Sequence, residues 1–189
     1  MLFRSAIWQH FKTVEIAFSI DDLDQRFEYQ RSNAVWAEVI ANIDRFKAMR
    51  QRHKNIRLQC CSTVNIFNIM YITELARWID QQDFDYVYWN MLHEIWYFSI
   101  ASLPSDVKLS IAQRLIMQDI PDSHIVEFGR IVDFMRNGKS SNGQDMLKRI
   151  RELDQLRNQN LRNVAPELAN AIIGAGVAVA GLLGVVTKG

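Results

Sequence analysis

The sequence predicts an α/β fold with parallel strands, and three observations carry that prediction. Segments of period-two hydrophobicity alternate with segments of period-3.6 hydrophobicity. The order strand, helix, strand, helix, strand implies right-handed βαβ crossovers and therefore parallel pairing. The first two strands each have one apolar face and one polar-to-small face, whereas an open sheet covered on both sides would be apolar on both. A curved sheet with helices outside and a functional interior fits that division.

The elements follow in order. Thr13–Ser19 reads as a strand, with Val14, Ile16 and Phe18 on one face and Glu15, Ala17 and Ser19 on the other. Ser32 or Asn33 caps a helix running to about Arg50, whose apolar stripe is Trp36, Ile40, Ile43 and Phe46 with Val39 beside it. Ile56–Val64 is the second strand: Ile56, Leu58 and Cys60 face one way, Arg57, Gln59, Cys61 and Thr63 the other. A helix from about Tyr71 to Gln81 buries Ile72, Leu75 and Ile79. Phe84–Leu92 is a third strand and Tyr97–Leu103 a shorter fourth. Pro104 ends it, and Ser105 caps a helix through Met117. Helices over Asp122–Asn137, stopped by Asn137-Gly138, and over Gln144–Gln159 complete the body. Four strands do not close a barrel. The gap from Leu92 to Tyr97 is also too short for a crossover helix, so the last pair departs from the repeat.

Composition narrows the function classes. The 189 residues carry 22 Lys plus Arg against 21 Asp plus Glu, a net charge of +1. A dedicated nucleic-acid binder would need a basic excess, so no nucleic-acid partner is expected. Cys60 and Cys61 are the only cysteines and are adjacent, which excludes a disulfide framework and points to a reducing, cytoplasmic compartment. Met1–Ser5 runs into Trp8, His10 and Lys12 with no apolar signal segment.

The composition breaks near residue 170, dividing a body over 1–168 from a Gly/Ala/Val-rich tail over 169–189. Gly174, Gly176, Gly181, Gly184 and Gly189 are five of the chain's 8 glycines. The run Ala171–Val186 is wholly apolar, but its 16 residues span only about 24 Å as a helix, short of the roughly 20 residues a bilayer needs. Three readings stand: an under-length membrane helix, a disordered or frame-shifted extension, and a helix that packs closely through small residues. A membrane partner is therefore expected only through residues 171–186.

Several chemistries leave no mark. The body has no Gly-rich phosphate loop and no Gly-x-Ser-x-Gly elbow. His10, His53, His93 and His124 lack metal-ligand spacing, so no metal site is assigned. No catalytic residue is assigned either. His93-Glu94 sits at a strand end and reads as a structural pair or as a proton-transfer pair. Trp78, Tyr86, Tyr88, Trp89, Trp96 and Tyr97 read as core or as pocket lining. The most informative segment is Ser19–Arg31, SIDDLDQRFEYQR, at the carboxyl end of a strand, where α/β folds place ligand sites. Carboxylates there can hold ribose hydroxyls and an arginine can pair a ligand carboxylate. The same cluster also reads as a solvated, charged βα loop.

Ser19-Ile20-Asp21, Phe27-Glu28-Tyr29-x-Arg31 and Trp36 resemble the fourth-strand region of radical S-adenosylmethionine (radical SAM) enzymes. The group most similar is the phage and environmental radical SAM proteins with an N-terminal Twitch domain. The resemblance continues through Asn68-x-x-Tyr71-x-x-Glu74-Leu75, Tyr97-Phe98-Ser99-Ile100 and Leu103-Pro104. It ends with Leu153-Asp154-x-x-Arg157-x-Gln159-Asn160 and Pro166-Glu167-Leu168, so it covers about Thr13 to Leu168.

The resemblance implies an incomplete (β/α)6 radical-SAM-type partial barrel with additional C-terminal helices. It implies S-adenosylmethionine and a 4Fe–4S cluster in the full-length protein, with reductive cleavage to a 5′-deoxyadenosyl radical that takes hydrogen from an unknown substrate. Ser19 and Glu28 match ribose-contacting positions, Arg31 matches a position for the methionine carboxylate, and Asp21 shapes the same pocket. Two departures stand out. Asp22 occupies the place of the usual glycine. The Cys-x-x-x-Cys-x-x-Cys loop is missing, so no cluster is expected in this chain. Met1 is then expected to be the edge of a fragment whose partner is the N-terminal half of the domain. The first strand would have an unpaired edge, covered by Leu2–Trp8 or by self-association, and the isolated chain would be poorly soluble. Two alternatives remain: a non-catalytic α/β remnant that binds a partner or S-adenosylmethionine, and a small membrane-associated phage-type protein.

Overall fold

The computed structural model describes residues 5–141 and 143–174. The protein is α/β, built on a three-stranded parallel sheet in the order β1-β2-β3. The strands are β1 (Val14–Ser19), β2 (Ile56–Val64) and β3 (Tyr86–Met91). Register pairs Val14 with Ile56 and Ser19 with Cys61, then Gln59 with Tyr86 and Cys61 with Tyr88. Helices α1 (Asp24–Gln30) and α2 (Trp36–Arg52) join β1 to β2, and α3 (Ile72–Asp80) joins β2 to β3. Helices α4 (Ser105–Met117), α5 (Ile125–Asn137), α6 (Gln144–Arg157) and the short α7 (Leu161–Val164) follow.

The two faces of the sheet differ as the alternation predicts. On β2, burial alternates strictly: Ile56, Leu58, Cys60, Ser62 and Val64 are buried, and the residues between them are half-exposed. The covered face continues into Val87, Trp89 and Met91. Apolar side chains of α2 and α3, among them Ile43, Ile72, Leu75 and Ile79, belong to the same core. Each fully buried Leu or Ile contributes about 1.5–3 kcal/mol relative to exposure. The opposite face is open: Glu15, Ala17 and Ser19 on β1 are exposed, and so are Tyr86 and Tyr88 on β3. The aromatic residues divide accordingly. Trp89 is core and Trp78 packs on Trp36 and Phe84, while Tyr86, Tyr88 and Trp96 are exposed.

Several expectations change. The cap position of α2 is Val35, not Ser32 or Asn33, and that of α4 is Pro104, not Ser105. Tyr97–Leu103 is not a strand; Trp96–Phe98 and Ile100–Ser102 are single 3-10 turns. Ser99 is the reason: its hydroxyl accepts from the Ala101 amide and its carbonyl from the Ser102 hydroxyl, local bonds that compete with a ladder. Arg31 does not end a loop, because Asp24–Gln30 is helical, with Asp22 and Arg26 paired one turn apart at its start. The helix expected from Asp122 begins as a 3-10 turn over Asp122–His124 and turns α-helical at Ile125.

The first edge of the sheet is β1, and Ser5–His10 adds no strand to it. That segment is a 3-10 helix, held by Asn55 Nδ2 donating to the carbonyls of Trp8 and Phe11 and by Trp8 stacking on Phe46. At the other end, residues 166–174 are helical and bury Leu168, Ala169 and Ile172. Residues 175–189, which hold most of the apolar run, lie outside the described residues. Among the described residues no helix is long and apolar enough to cross a membrane.

Candidate functional site

The carboxyl ends of the three strands converge on one cavity of about 230 Å³. Asp21, Asn65 and Leu92, which lie just beyond β1, β2 and β3, all line it, joined by Tyr29, Gln30 and Arg157. Side chains at strand ends are held by the ladder behind them while the loops beyond remain free to vary, which is why this edge carries ligands in α/β proteins.

Asp21 is buried and fully engaged. Its Oδ2 accepts from Arg31 Nε at 2.9 Å and Nη2 at 2.7 Å, and its Oδ1 accepts from the Thr63 amide at 2.7 Å. Asn68 Nδ2 donates to the Asp21 carbonyl at 2.7 Å. Asp21 therefore fastens the end of β1 to the end of β2 and orients Arg31. The Arg31 side chain is about a third exposed, and its Nη1 has no partner among the described residues. Glu28 lies one turn before Arg31 on α1, and its Oε1 accepts from the Trp36 amide at 2.8 Å. That bond satisfies a free N–H at the start of α2 and leaves Oε2 available. Ser19 ends β1 on the open face, beside Cys61, with its side chain exposed. The structure thus brings Asp21 and Arg31 into contact, hangs Glu28 on the same helix, and sets Ser19 apart on the sheet surface.

Asp22 fills the place where the resemblance expects glycine, yet its backbone is not left-handed; the positive φ falls at Asp24. Its side chain turns inward instead. Oδ1 accepts from the Leu23 amide at 2.8 Å and from Arg26 Nε at 2.9 Å, and Oδ2 accepts from Gln30 at 3.3 Å. Burial pushes the Asp22 carboxyl up to about 6 despite the nearby Arg26 charge.

Several further residues, whose contacts are not legible in the sequence, complete the site. Arg26 spans from Asp22 to Glu74, donating to Glu74 Oε2 at 2.6 Å while its guanidinium lies 4.2 Å from the Tyr71 ring centre. Asn68 Oδ1 accepts from the Asn65 amide and Asn65 Oδ1 from the Phe67 amide, folding the chain back after β2. Tyr29 donates its hydroxyl to Asp154 Oδ1 at 2.9 Å, and Arg157 Nη1 donates to the Tyr29 carbonyl at 3.1 Å. Burial and the neighbouring Asp154 carboxylate push the Tyr29 hydroxyl above its usual range. No local pattern reveals these partners, because they are 48 and 125 residues apart.

The segments around Ser19–Arg31, Asn68–Glu74, Phe98 and Asp154–Arg157 therefore meet at one end of the sheet, with Phe98 packed on Phe67 beside the cavity. Compared with known proteins, the chain matches no protein-family model, no curated protein and no solved structure.

Proposed function

We propose that this chain supplies the C-terminal part of a radical SAM domain, a partial (β/α)6 barrel whose inner surface is the open face of the sheet. The observation that carries the proposal is the convergence of four separate sequence segments on the strand ends. Each was singled out by its resemblance to that family. The open face agrees with it, since Glu15, Ala17 and Ser19 stay uncovered where a barrel interior would lie.

The side chains offer groups that S-adenosylmethionine can use, although of Ser19, Asp21, Glu28 and Arg31 only Asp21 lines the strand-end cavity. Ser19 offers a hydroxyl on the open face, Glu28 a free carboxylate oxygen for ribose hydroxyls, and Arg31 a guanidinium already oriented by Asp21. They do not fit an iron–sulfur cluster, because Cys60 is buried and Cys61 is its neighbour on the other face of one strand. The cluster would belong to a separate, N-terminal portion. When bound and cleaved by an electron from a reduced cluster on the N-terminal portion, S-adenosylmethionine would supply the hydrogen-abstracting radical; this chain's residues would bind it, orient it and line the space that receives the substrate. A reducing cytoplasmic setting, in which both cysteines stay thiols, belongs to the same proposal.

Reading the source DNA upstream of the Met1 codon tests it. A frame that continues through a Cys-x-x-x-Cys-x-x-Cys loop should yield a protein that, purified anaerobically, cleaves S-adenosylmethionine to 5′-deoxyadenosine. Arg31→Gln should then raise KM for the cofactor at least tenfold. Upstream stop codons, together with no binding of S-adenosylmethionine by the chain in equilibrium dialysis, overturn the proposal.

A further inference from the structure

Two adjoining cavities lie outside the site just described. The 3-10 turns after β3 form the dividing wall: Leu92, Ile95 and Phe98 face the strand-end cavity, while His93, Trp96 and Ser99 face a second cavity of about 610 Å³. Lys139 and Ser140 line that second cavity from the segment after α5. A third cavity, about 300 Å³, shares Ser140 and adds Lys108 and Arg136. No carboxylate lines either of these two cavities among the described residues.

Lys108 is the unusual member. It is buried, and its ammonium donates only to neutral carbonyls, Ala101 O at 2.7 Å and Gly138 O at 2.8 Å. Burial pulls the ammonium below its usual range. Buried charges are ordinarily paired, and no described residue supplies the counter-charge. Arg136 and Lys139 are exposed and form no ion pair among the described residues, although acids are as frequent as bases in this chain. Lys108 and Arg136 thus line the third cavity and Lys139 the second, Ser140 lies between them, and no described carboxylate lines either. Across the second cavity Trp96 presents an indole that is 50% exposed, with the Tyr97 ring edge-on to it at 5.8 Å.

We propose that these two adjoining cavities, which share Ser140, bind a phosphate monoester of a ring-bearing small molecule, such as a nucleoside monophosphate. The phosphate sits among Lys108, Arg136 and Ser140, Lys139 closes on it from the larger cavity, and the ring stacks on Trp96. This site is independent of the S-adenosylmethionine reading: it uses none of Ser19, Asp21, Glu28 or Arg31.

Isothermal titration of the chain at low ionic strength with uridine monophosphate, uridine and inorganic phosphate is the test. A pyrimidine probe avoids the adenosyl group of the other proposed ligand. Uridine monophosphate should bind at least tenfold tighter than uridine and than inorganic phosphate. The double variant R136Q/K139Q, altered only at exposed positions, should melt like the wild type and lose at least tenfold for the monophosphate but not for uridine. Trp96→Ala should weaken the monophosphate and leave inorganic phosphate unchanged. The proposal is overturned if the monophosphate fails to bind, if it binds no better than uridine, or if R136Q/K139Q binds it unchanged.

Discussion

Arg31 reaches back ten residues to close on Asp21, both Nε and Nη2 donating to one carboxylate oxygen while the other oxygen takes the Thr63 amide. The two ends of this pair are unequal. The Asp21 side chain is 10% exposed and holds two elements together; the Arg31 side chain is 36% exposed and can turn to water. Asp21→Ala leaves the part-buried Thr63 amide without an acceptor, so it should cost about 1–3 kcal/mol in urea unfolding. Arg31→Gln should cost less than about 1 kcal/mol, as for other part-exposed pairs. Equal losses in the two variants would contradict this asymmetry.

Asp22 sets a slope in stability against pH. Its carboxyl is raised by burial from 3.8 to about 6, so between those values the folded state holds a proton that the unfolded state has released. The contribution is therefore fully present below about pH 4 and lost as pH rises through about 6. Asp85 acts in the opposite direction. Burial raises it, but the Leu58 amide and Arg50 outweigh burial and hold it below its usual range, so its contribution is lost only as pH falls below about 4. Urea melts from pH 4.5 to 7.5 should show stability falling with pH in wild type, and Asp22→Asn should flatten that fall. A wild-type profile that rises over this interval would remove Asp22 from the account.

Gly138 is constrained by contact rather than by dihedral angle, since its φ is −74°. A Cβ placed on it would strike the Cβ and backbone of Ala101, against which the end of α5 packs. Gly138→Ala should therefore cost about 1–3 kcal/mol, the usual range for overpacking. Ala101→Gly would clear only the side-chain part of the collision, so the double variant should recover part of the loss. Additive losses in a double-mutant cycle would show that the two residues do not meet.

The sheet was legible because its signal is local. Nine residues of β2 alternate without a break, and burial follows them one for one. The turns after β3 were not, because apolar spacing over Tyr97–Leu103 suits a strand equally well and the deciding bonds come from one serine, Ser99. Helix α1 was hidden by its seven residues, too few for a periodic stripe, and by charges that read as a loop. At the site, Asp21, Glu28 and Arg31 could be named from their crowding after a strand. The partners of their neighbours Arg26 and Tyr29 could not, since Glu74 and Asp154 arrive from distant segments and nothing near residues 21–31 specifies them.

Cys60 and Cys61 turn the difference between the two faces into a chemical measurement. Cys60 is on the covered face at 0% exposure, and burial pushes its thiol up to about 12, so it presents almost no thiolate at ordinary pH. Cys61 is on the open face, between Ser19 and Tyr88 in the ladder, and burial raises its thiol too. At pH 8.5 a disulfide reagent should therefore modify one thiol in the native chain, slowly relative to a free cysteine, and two after denaturation. Cys61→Ser should abolish the native reaction. Reaction of Cys60 first would mean that the covered face opens more readily than its packing allows. If the open face is the interior of a larger barrel, a longer chain that completes the barrel should protect Cys61 at least tenfold. Unchanged reactivity there would leave the face uncovered and argue against the barrel.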